Sequence, residues 1–168
     1  MFRKERCPIK GNRRTGRELA LKIIFGLREE TSDCRGLLDQ FWANFRFEED
    51  ELGEPLDSFT EQVPLGIRCF AEELASGIAE HLRRIDGAIS DAAQNWSLER
   101  MASVDLAILR LATFELLYRP ETPVTAVLNE AIEIGKCFGT KETPAFVNGI
   151  LDRIAKEHRK KAASGENA

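Results

Sequence analysis

Residues 101–118 read MASVDLAILRLATFELLY, and this stretch is apolar on almost every side of a helix. A surface helix carries one apolar stripe, whereas a helix that is apolar all round is normally buried among other helices. Arg119 and Pro120 end the stretch, because a proline and the residue before it both disfavour helix. The sequence therefore predicts a central helix inside an all-α fold.

Two more helices are predicted after the central one. Residues 122–123 and 143–144 both read Thr-Pro, which places a capping hydroxyl before a proline suited to the first helical position. The first of these helices should end at Phe138, since Gly139 is the expected C-terminal glycine. Beyond the second, residues 159–168 are expected to form a frayed and disordered tail.

Apolar residues three and four positions apart predict four helices before the central one. The fourth of these helices is expected to turn Trp96 inward, onto the core. The sequence therefore predicts about seven helices in all. The first four are predicted at residues 13–30, 34–46, 60–84 and 86–95. An acidic stretch at residues 48–57 interrupts them and should be a solvated loop, with an acidic protein-binding patch as the alternative.

Residues 148–149 read Asn-Gly and interrupt the apolar face predicted for the last helix. A glycine inside a helix costs about 1 kcal/mol relative to alanine. Close approach of a second helix would explain Gly149, and Asn148 would then offer its amide to a base or to a backbone group.

The first helix begins with Arg13, Arg14 and Arg17, where exposed N–H groups already carry partial positive charge. Cations cost roughly 0.3–1 kcal/mol each at that end, but together with the N–H groups they suit a bound phosphate. Residues 1–17 hold seven cations and one anion, although the whole chain is −4. A flexible basic arm at residues 1–11 on an acidic body indicates nucleic acid or an acidic partner, with a solvated arm of no function as the alternative.

Catalysis finds little support in the sequence. Neither histidine accompanies a nucleophile in a recognisable motif, and no glycine-rich phosphate loop is present. The paired carboxylates Glu130 and Glu133 are expected to lie on a solvated helix face. We expect a protein that is not an enzyme and has no cofactor.

The four cysteines are too far apart in sequence to suggest a zinc site. We expect no metal, and buried or incidental thiols, with Cys137 as ordinary core. No apolar run approaches the length of about 18 residues that suggests a membrane span, and the N-terminus lacks a secretory signal. The sequence therefore predicts a cytoplasmic protein without a membrane segment.

Five segments together resemble the NusB family of bacterial transcription antitermination factors. They are RRTGRELALKIIFGL (13–27), NWSLERM (95–101), DLAILRLATFELLY (105–118), PVTAVLNEAIEIGKCFG (123–139) and FVNGILDRI (146–154). The resemblance implies one domain at residues 12–158, made of two small packed helical bundles. The N-terminal bundle would span about 12–84 and the C-terminal bundle about 85–158.

The resemblance also implies a function. Members bind boxA, a short single-stranded RNA element of ribosomal RNA leaders, together with the ribosomal protein NusE. The complex joins RNA polymerase and other Nus factors and supports processive transcription, and some members form homodimers.

Individual site residues follow from the same resemblance. RNA contacts would come from Arg13, Arg14, Arg17, Phe146 and Asn148, while the charge of Glu142 would temper RNA affinity. An aromatic ring and an amide suit single-stranded RNA, whose bases are free to stack and to expose their edges. The NusE-binding surface would include Phe25, Asp105 and Arg110.

The sequence departs from the family at Thr15 and Gly16, where members often carry Arg and Ala, so the basic run is one charge shorter. One alternative is therefore a helical protein-interaction module with weak or lost RNA binding. A second is the helical domain of RNA cytosine methyltransferases, which the absence of a cofactor loop disfavours.

Overall fold

The computed structural model describes residues 12–25, 27, 33–44, 63–94 and 96–164. Within these ranges the secondary structure is α-helical apart from a 3-10 turn at Leu98–Arg100, which confirms the all-α prediction. The predicted arm at 1–11 and the acidic loop at 48–57 lie outside the described residues. The described helices are α1 (Asn12–Ile24), α2 (Cys34–Asn44), α3 (Leu65–Glu80), α4 (Leu82–Ala93), α5 (Ser103–Tyr118), α6 (Val124–Phe138) and α7 (Thr143–Ser164).

Helix α5 is the centre of the fold, as its sequence predicts. Every residue from Ala107 to Leu116 is buried, and Leu109 is 0% exposed. Helices α1 and α3 pack against α5 from the N-terminal half of the chain, and α4, α6 and α7 pack against it from the C-terminal half. Burying one such leucine contributes about 1.5–3 kcal/mol, so α5 ties the two halves together.

The break between α3 and α4 falls at His81, several residues before the predicted end of the third helix. His81 leaves the helical conformation with φ −110° and ψ 18°, and its ring stacks on Tyr118 of α5 with 4.3 Å between centroids. Ile78, Leu82 and Ile85 stay buried across the break. The apolar spacing is therefore continuous through the break and could not reveal it.

Two other helix ends differ from the prediction. Helix α1 ends at Ile24, so the expected extent to residue 30 is wrong. Helix α7 continues to Ser164, so the predicted disordered tail from residue 159 is wrong as far as residue 164. The residues between 159 and 164 are mostly lysine, arginine and alanine, which favour helix, and the first glycine after them is Gly165.

The turn between α6 and α7 explains the glycine at its start. Helix α6 ends at Phe138 with Gly139 as its C-cap, as predicted. The φ of Gly139 is −95°, so the glycine is not required by a left-handed conformation. A Cβ at this position would overlap the side chain of Thr143 instead. Gly139 therefore permits a close approach within the turn.

The Thr-Pro start signals locate both helices but misassign the caps. The N-cap of α6 is Pro123, with no side-chain cap hydrogen bond. Helix α7 begins with Thr143 itself, whose Oγ1 accepts a hydrogen bond of 3.0 Å from the backbone N–H of Thr140. The threonine hydroxyl therefore serves the preceding turn rather than the helix.

Candidate nucleic-acid interface

The three arginines of α1 lie in three different environments. Arg13 is exposed, and its guanidinium carbon is 5.9 Å from the ring centroid of Phe70. Arg14 is half-buried, and Arg17 is 5% exposed. The structure therefore separates a group that the sequence treats as one phosphate site.

Arg17 is bound by a carboxylate on the central helix. Its Nε and Nη2 atoms donate to the two oxygens of Glu115 at 2.8 and 2.7 Å, and Glu115 is itself 3% exposed. Burial alone would lower the pKa of Arg17, but the hydrogen bonds and the negative charge of Glu115 raise it. The two hydrogen bonds tie α1 to α5.

Arg14 makes the corresponding contact with α6. Its Nε and Nη2 atoms donate to the two oxygens of Glu130 at 3.0 and 2.6 Å. The hydrogen bond to Glu130 is the main cause of a raised pKa for Arg14. The expectation that Glu130 lies on a solvated face is therefore wrong, because α6 turns this carboxylate toward α1. Glu133, one turn later, accepts a hydrogen bond from Lys136 at the surface.

These two ion pairs fix the start of α1 against the rest of the fold. Of the three arginines, Arg13 is the one that the structure leaves exposed, while RNA contacts by Arg14 and Arg17 stay predictions. Glu115 was not predicted as a site residue, although a carboxylate among the apolar residues of a buried helix is a signal, since buried charges are paired.

Arg110 is buried, which does not fit its expected place on a partner-binding surface. It is 7% exposed, and its Nε and Nη2 donate to both oxygens of Asp86 at 2.8 Å. Its Nη1 donates to the backbone carbonyl of Leu27 at 2.6 Å. Arg110 thus joins α4 and α5 to the chain after α1. Phe25 is 37% exposed.

Asp105 and Glu142 meet in one hydrogen-bond network at the turn between α6 and α7. The hydroxyl of Thr143 donates to Asp105 at 2.6 Å, and the hydroxyl of Thr140 donates to Glu142 at 3.0 Å. The two threonines are linked by the bond from the Thr140 N–H to the Thr143 hydroxyl. A residue expected to bind a protein partner and one expected to affect RNA binding are therefore structurally connected.

Phe146 and Asn148 lie on opposite flanks of α7. Two residues in a helix are about 200° apart, and the buried residues Val147 and Leu151 lie between these flanks. Phe146 is half-buried and Asn148 is exposed. The two side chains therefore cannot contact the same base, although their positions in sequence group them.

Trp96 faces solvent, whereas the apolar spacing predicts that it faces the core. It is 53% exposed rather than turned inward, because α4 ends at Ala93 and Gln94 adopts a φ of 43°. Its ring contacts Phe146 edge-on, with 6.0 Å between centroids. An exposed indole and a half-buried phenyl ring therefore lie together beside the first turns of α7.

Gly149 is exposed, and a Cβ there would meet nothing within 4 Å. The expectation that it allows close packing of another helix is therefore wrong. Together with Asn148, it belongs to the solvent-facing side of α7 rather than to the apolar face.

No group of metal-ligating side chains occurs in the part of the chain that the structure describes. None of the helices resolved there is both long and apolar enough to cross a membrane. Cys34 and Cys69 are not in a disulfide, whereas Cys137, expected to be an ordinary core thiol, is disulfide-bonded.

The fold first places the chain in a class, that of small all-helical proteins packed around one buried central helix. The model of the NusB family matches residues 14–156. The chain therefore belongs to the NusB family of transcription antitermination proteins.

Two relatives with this name illustrate the similarity. The transcription antitermination protein NusB of Syntrophotalea carbinolica is 57% identical over 92% of this chain and 98% of its own. The protein of the same name from Geobacter sulfurreducens is 43% identical over 86% of this chain and 94% of its own. The likeness thus extends over nearly the whole of both relatives.

Solved structures share the fold. T. maritima NusB superimposes with a TM-score of 0.66 and is 36% identical, covering 89% of this chain and 94% of that one. A chain in a crystal structure of a plectonemic RNA supercoil gives a TM-score of 0.64 at 20% identity, covering 89% of this chain and 97% of that one. The second match shows a common fold alone.

Proposed function

We propose that this chain is a non-enzymatic factor that binds boxA-type single-stranded RNA together with the ribosomal protein NusE. In this role it would support processive transcription by RNA polymerase with other Nus factors, in the cytoplasm. Membership of the NusB family supports the proposal, and the observation that carries it is the exposed Arg13 at the start of a firmly anchored helix.

The chemistry of this helix start suits a phosphate. The first N–H groups of a helix have no partners within the helix and attract anions. Arg13 adds a full positive charge next to them, and the pairs of Arg14 and Arg17 hold the backbone in place. A phosphate bound there would meet donors that are already oriented, which reduces the entropy lost on binding.

The test is a titration of a fluorescently labelled boxA-like RNA with the purified chain, with and without NusE. We expect binding that NusE strengthens and that salt weakens. Arg13→Gln should weaken binding and lower the slope of log K against log salt by about one. Arg35→Gln on α2 is the control, since Arg35 is also exposed and should leave the slope unchanged.

The runner-up is a helical protein-interaction module that no longer binds RNA. The engagement of Arg14 and Arg17 by carboxylates favours it, because both guanidinium groups are occupied within the chain. Complex formation with NusE but no RNA binding at low salt would support this alternative. Self-association into a homodimer, measured by light scattering, would be compatible with either function.

A further inference from the structure

Five residues of α7 form a continuous line along its outer side, which we call the α7 stripe. Successive members are three or four positions apart, the spacing that keeps side chains on one helix face. The α7 stripe consists of Phe146, Gly149, Arg153, Lys156 and Lys160. It exists as a line because α7 remains helical to Ser164.

The beginning of the α7 stripe lies beside Trp96. The indole contacts Phe146, and Arg153 Nη1 donates to the carbonyl of Ala92 at 2.9 Å, near the end of α4. Phe146 and Arg153 therefore both face the segment that carries Trp96, with Gly149 between them on α7. Phe146 and Arg153 are seven positions apart, which is about 10 Å along the helix axis. We call the part of the α7 stripe between them the interval, and Gly149 leaves it without a side chain.

The interval has the dimensions and chemistry of a nucleobase site. Bases stack at about 3.4 Å, so one base has room between the two side chains. Aromatic faces and guanidinium planes are the surfaces on which unpaired bases stack. Backbone exposed at a glycine allows a flat ring to approach the helix closely.

The second half of the α7 stripe is suited to phosphates. Arg153, Lys156 and Lys160 extend from the interval toward the end of the helix, and all three are exposed. Lys156 bonds Asp152 at 2.6 Å, with the lysine side chain 66% exposed. Exposed pairs of this kind contribute little, so a phosphate is able to compete for the lysine.

We propose that Trp96, Phe146 and Gly149 bind one unpaired base of single-stranded RNA, and that the cations of the α7 stripe bind its backbone. This inference rests on the proposed function and extends it to residues on the α4-facing flank of α7. Charge favours RNA over a protein occupant, because the three cations that continue the line from the aromatic rings outnumber the neighbouring Asp152 and Glu157.

Gly149→Leu tests the base site by filling it without removing any group. Leucine favours helix more than glycine, and the position is open, so the variant should be at least as stable. We expect boxA-like RNA, followed by fluorescence anisotropy with NusE present, to bind about tenfold more weakly. Gly87→Leu is the matched control, since Gly87 is also an exposed helical glycine with open space, and it should bind normally.

Trp96 provides a direct signal of stacking. The chain has two tryptophans, so Trp42→Phe leaves Trp96 as the reporter. RNA should quench its emission in this background, and Gly149→Leu should prevent the quenching. Lys160→Gln should lower the salt slope by about one, whereas Arg159→Gln, on another side of the helix, should leave it unchanged.

The outcomes separate this inference from the proposed function. Absence of RNA binding by the unsubstituted chain with NusE overturns both. Normal RNA binding and normal quenching in Gly149→Leu overturn the base site alone. Retained RNA binding with lost NusE binding in Gly149→Leu would assign this surface to the protein partner and would also overturn the inference.

Discussion

At the scale of single residues, the side chain of Arg14 would have two competing partners, Glu130 and a phosphate of RNA. Two donors on one edge of its guanidinium, Nε and Nη2, donate to the two oxygens of Glu130 at 3.0 and 2.6 Å. The two side chains are nevertheless 18% and 22% exposed, so water reaches the pair and screens it. A phosphate of RNA would compete with Glu130 on more equal terms than it would with the buried Glu115.

Glu130→Gln is therefore expected to increase RNA affinity. The amide keeps the shape of the side chain but loses its charge, which releases Arg14 for a phosphate. The RNA titration should show several-fold tighter binding and a salt slope steeper by about one. Glu133→Gln is the matched control, because it removes the same charge one turn later on α6. Equal gains for both variants would reflect net charge and would contradict the release of Arg14.

Arg17 is different, although it lies only three positions further along α1. Its partner Glu115 is 3% exposed, and a buried charge without a partner is strongly destabilising. If Arg17 left this pair to bind RNA, the buried charge of Glu115 would have no partner. We therefore infer that Arg17 acts through the position of α1.

At the scale of helices and turns, the junction of α6 and α7 connects two predicted binding surfaces. Asp105 on α5 accepts the hydroxyl hydrogen of Thr143 at 2.6 Å, and Thr143 in turn holds the backbone of Thr140. A substitution at Asp105 therefore has two effects, since it alters a surface charge and loosens the turn that carries Glu142.

Asp105→Lys is expected to abolish binding of NusE, measured by calorimetry, while circular dichroism remains helical. The reversed charge would repel a partner whose surface complements Asp105. Thr143→Val separates the two effects, because it removes the hydrogen bond and leaves the Asp105 carboxylate in place. We expect Thr143→Val to retain NusE binding. An equal loss in both variants would mean that Asp105 acts through the turn and does not contact NusE.

At the scale of the whole molecule, α5 makes the two halves of the chain interdependent. It packs against α1 and α3 on the N-terminal side and against α4, α6 and α7 on the C-terminal side. The ion pairs of Arg14 and Arg17 cross between the same halves. Unfolding one half would expose the apolar surface of α5, so we expect the halves to unfold together.

Leu109→Ala tests this coupling. Leu109 is 0% exposed, and truncating a buried leucine costs about 2–5 kcal/mol. Urea unfolding followed by Trp42 in α2 and by Trp96 after α4, each in a single-tryptophan variant, should shift by the same amount. Leu65→Ala is the control, because Leu65 is 75% exposed and should change the free energy of unfolding little. Two separate midpoints would contradict a single cooperative unit.

The sequence by itself determined the helices and the burial of α5. Apolar spacing is a local property, and a helix apolar on every side is stable only when it is surrounded. Apolar spacing predicted neither the break between α3 and α4 at His81 nor the outward direction of Trp96, since both depend on neighbouring helices. The close helix packing predicted at Gly149 was also wrong, because a helical glycine looks the same in sequence whether it faces another helix or solvent.

Only the tertiary structure decided which charged residues are available for binding. Arg17 and Glu115 are 98 positions apart, and Arg14 and Glu130 are 116 apart. Their pairing is set by how α1 packs on α5 and α6, and no local pattern contains that information. Three arginines with the same appearance in sequence therefore lie in different environments, which burial and an opposing carboxylate determine.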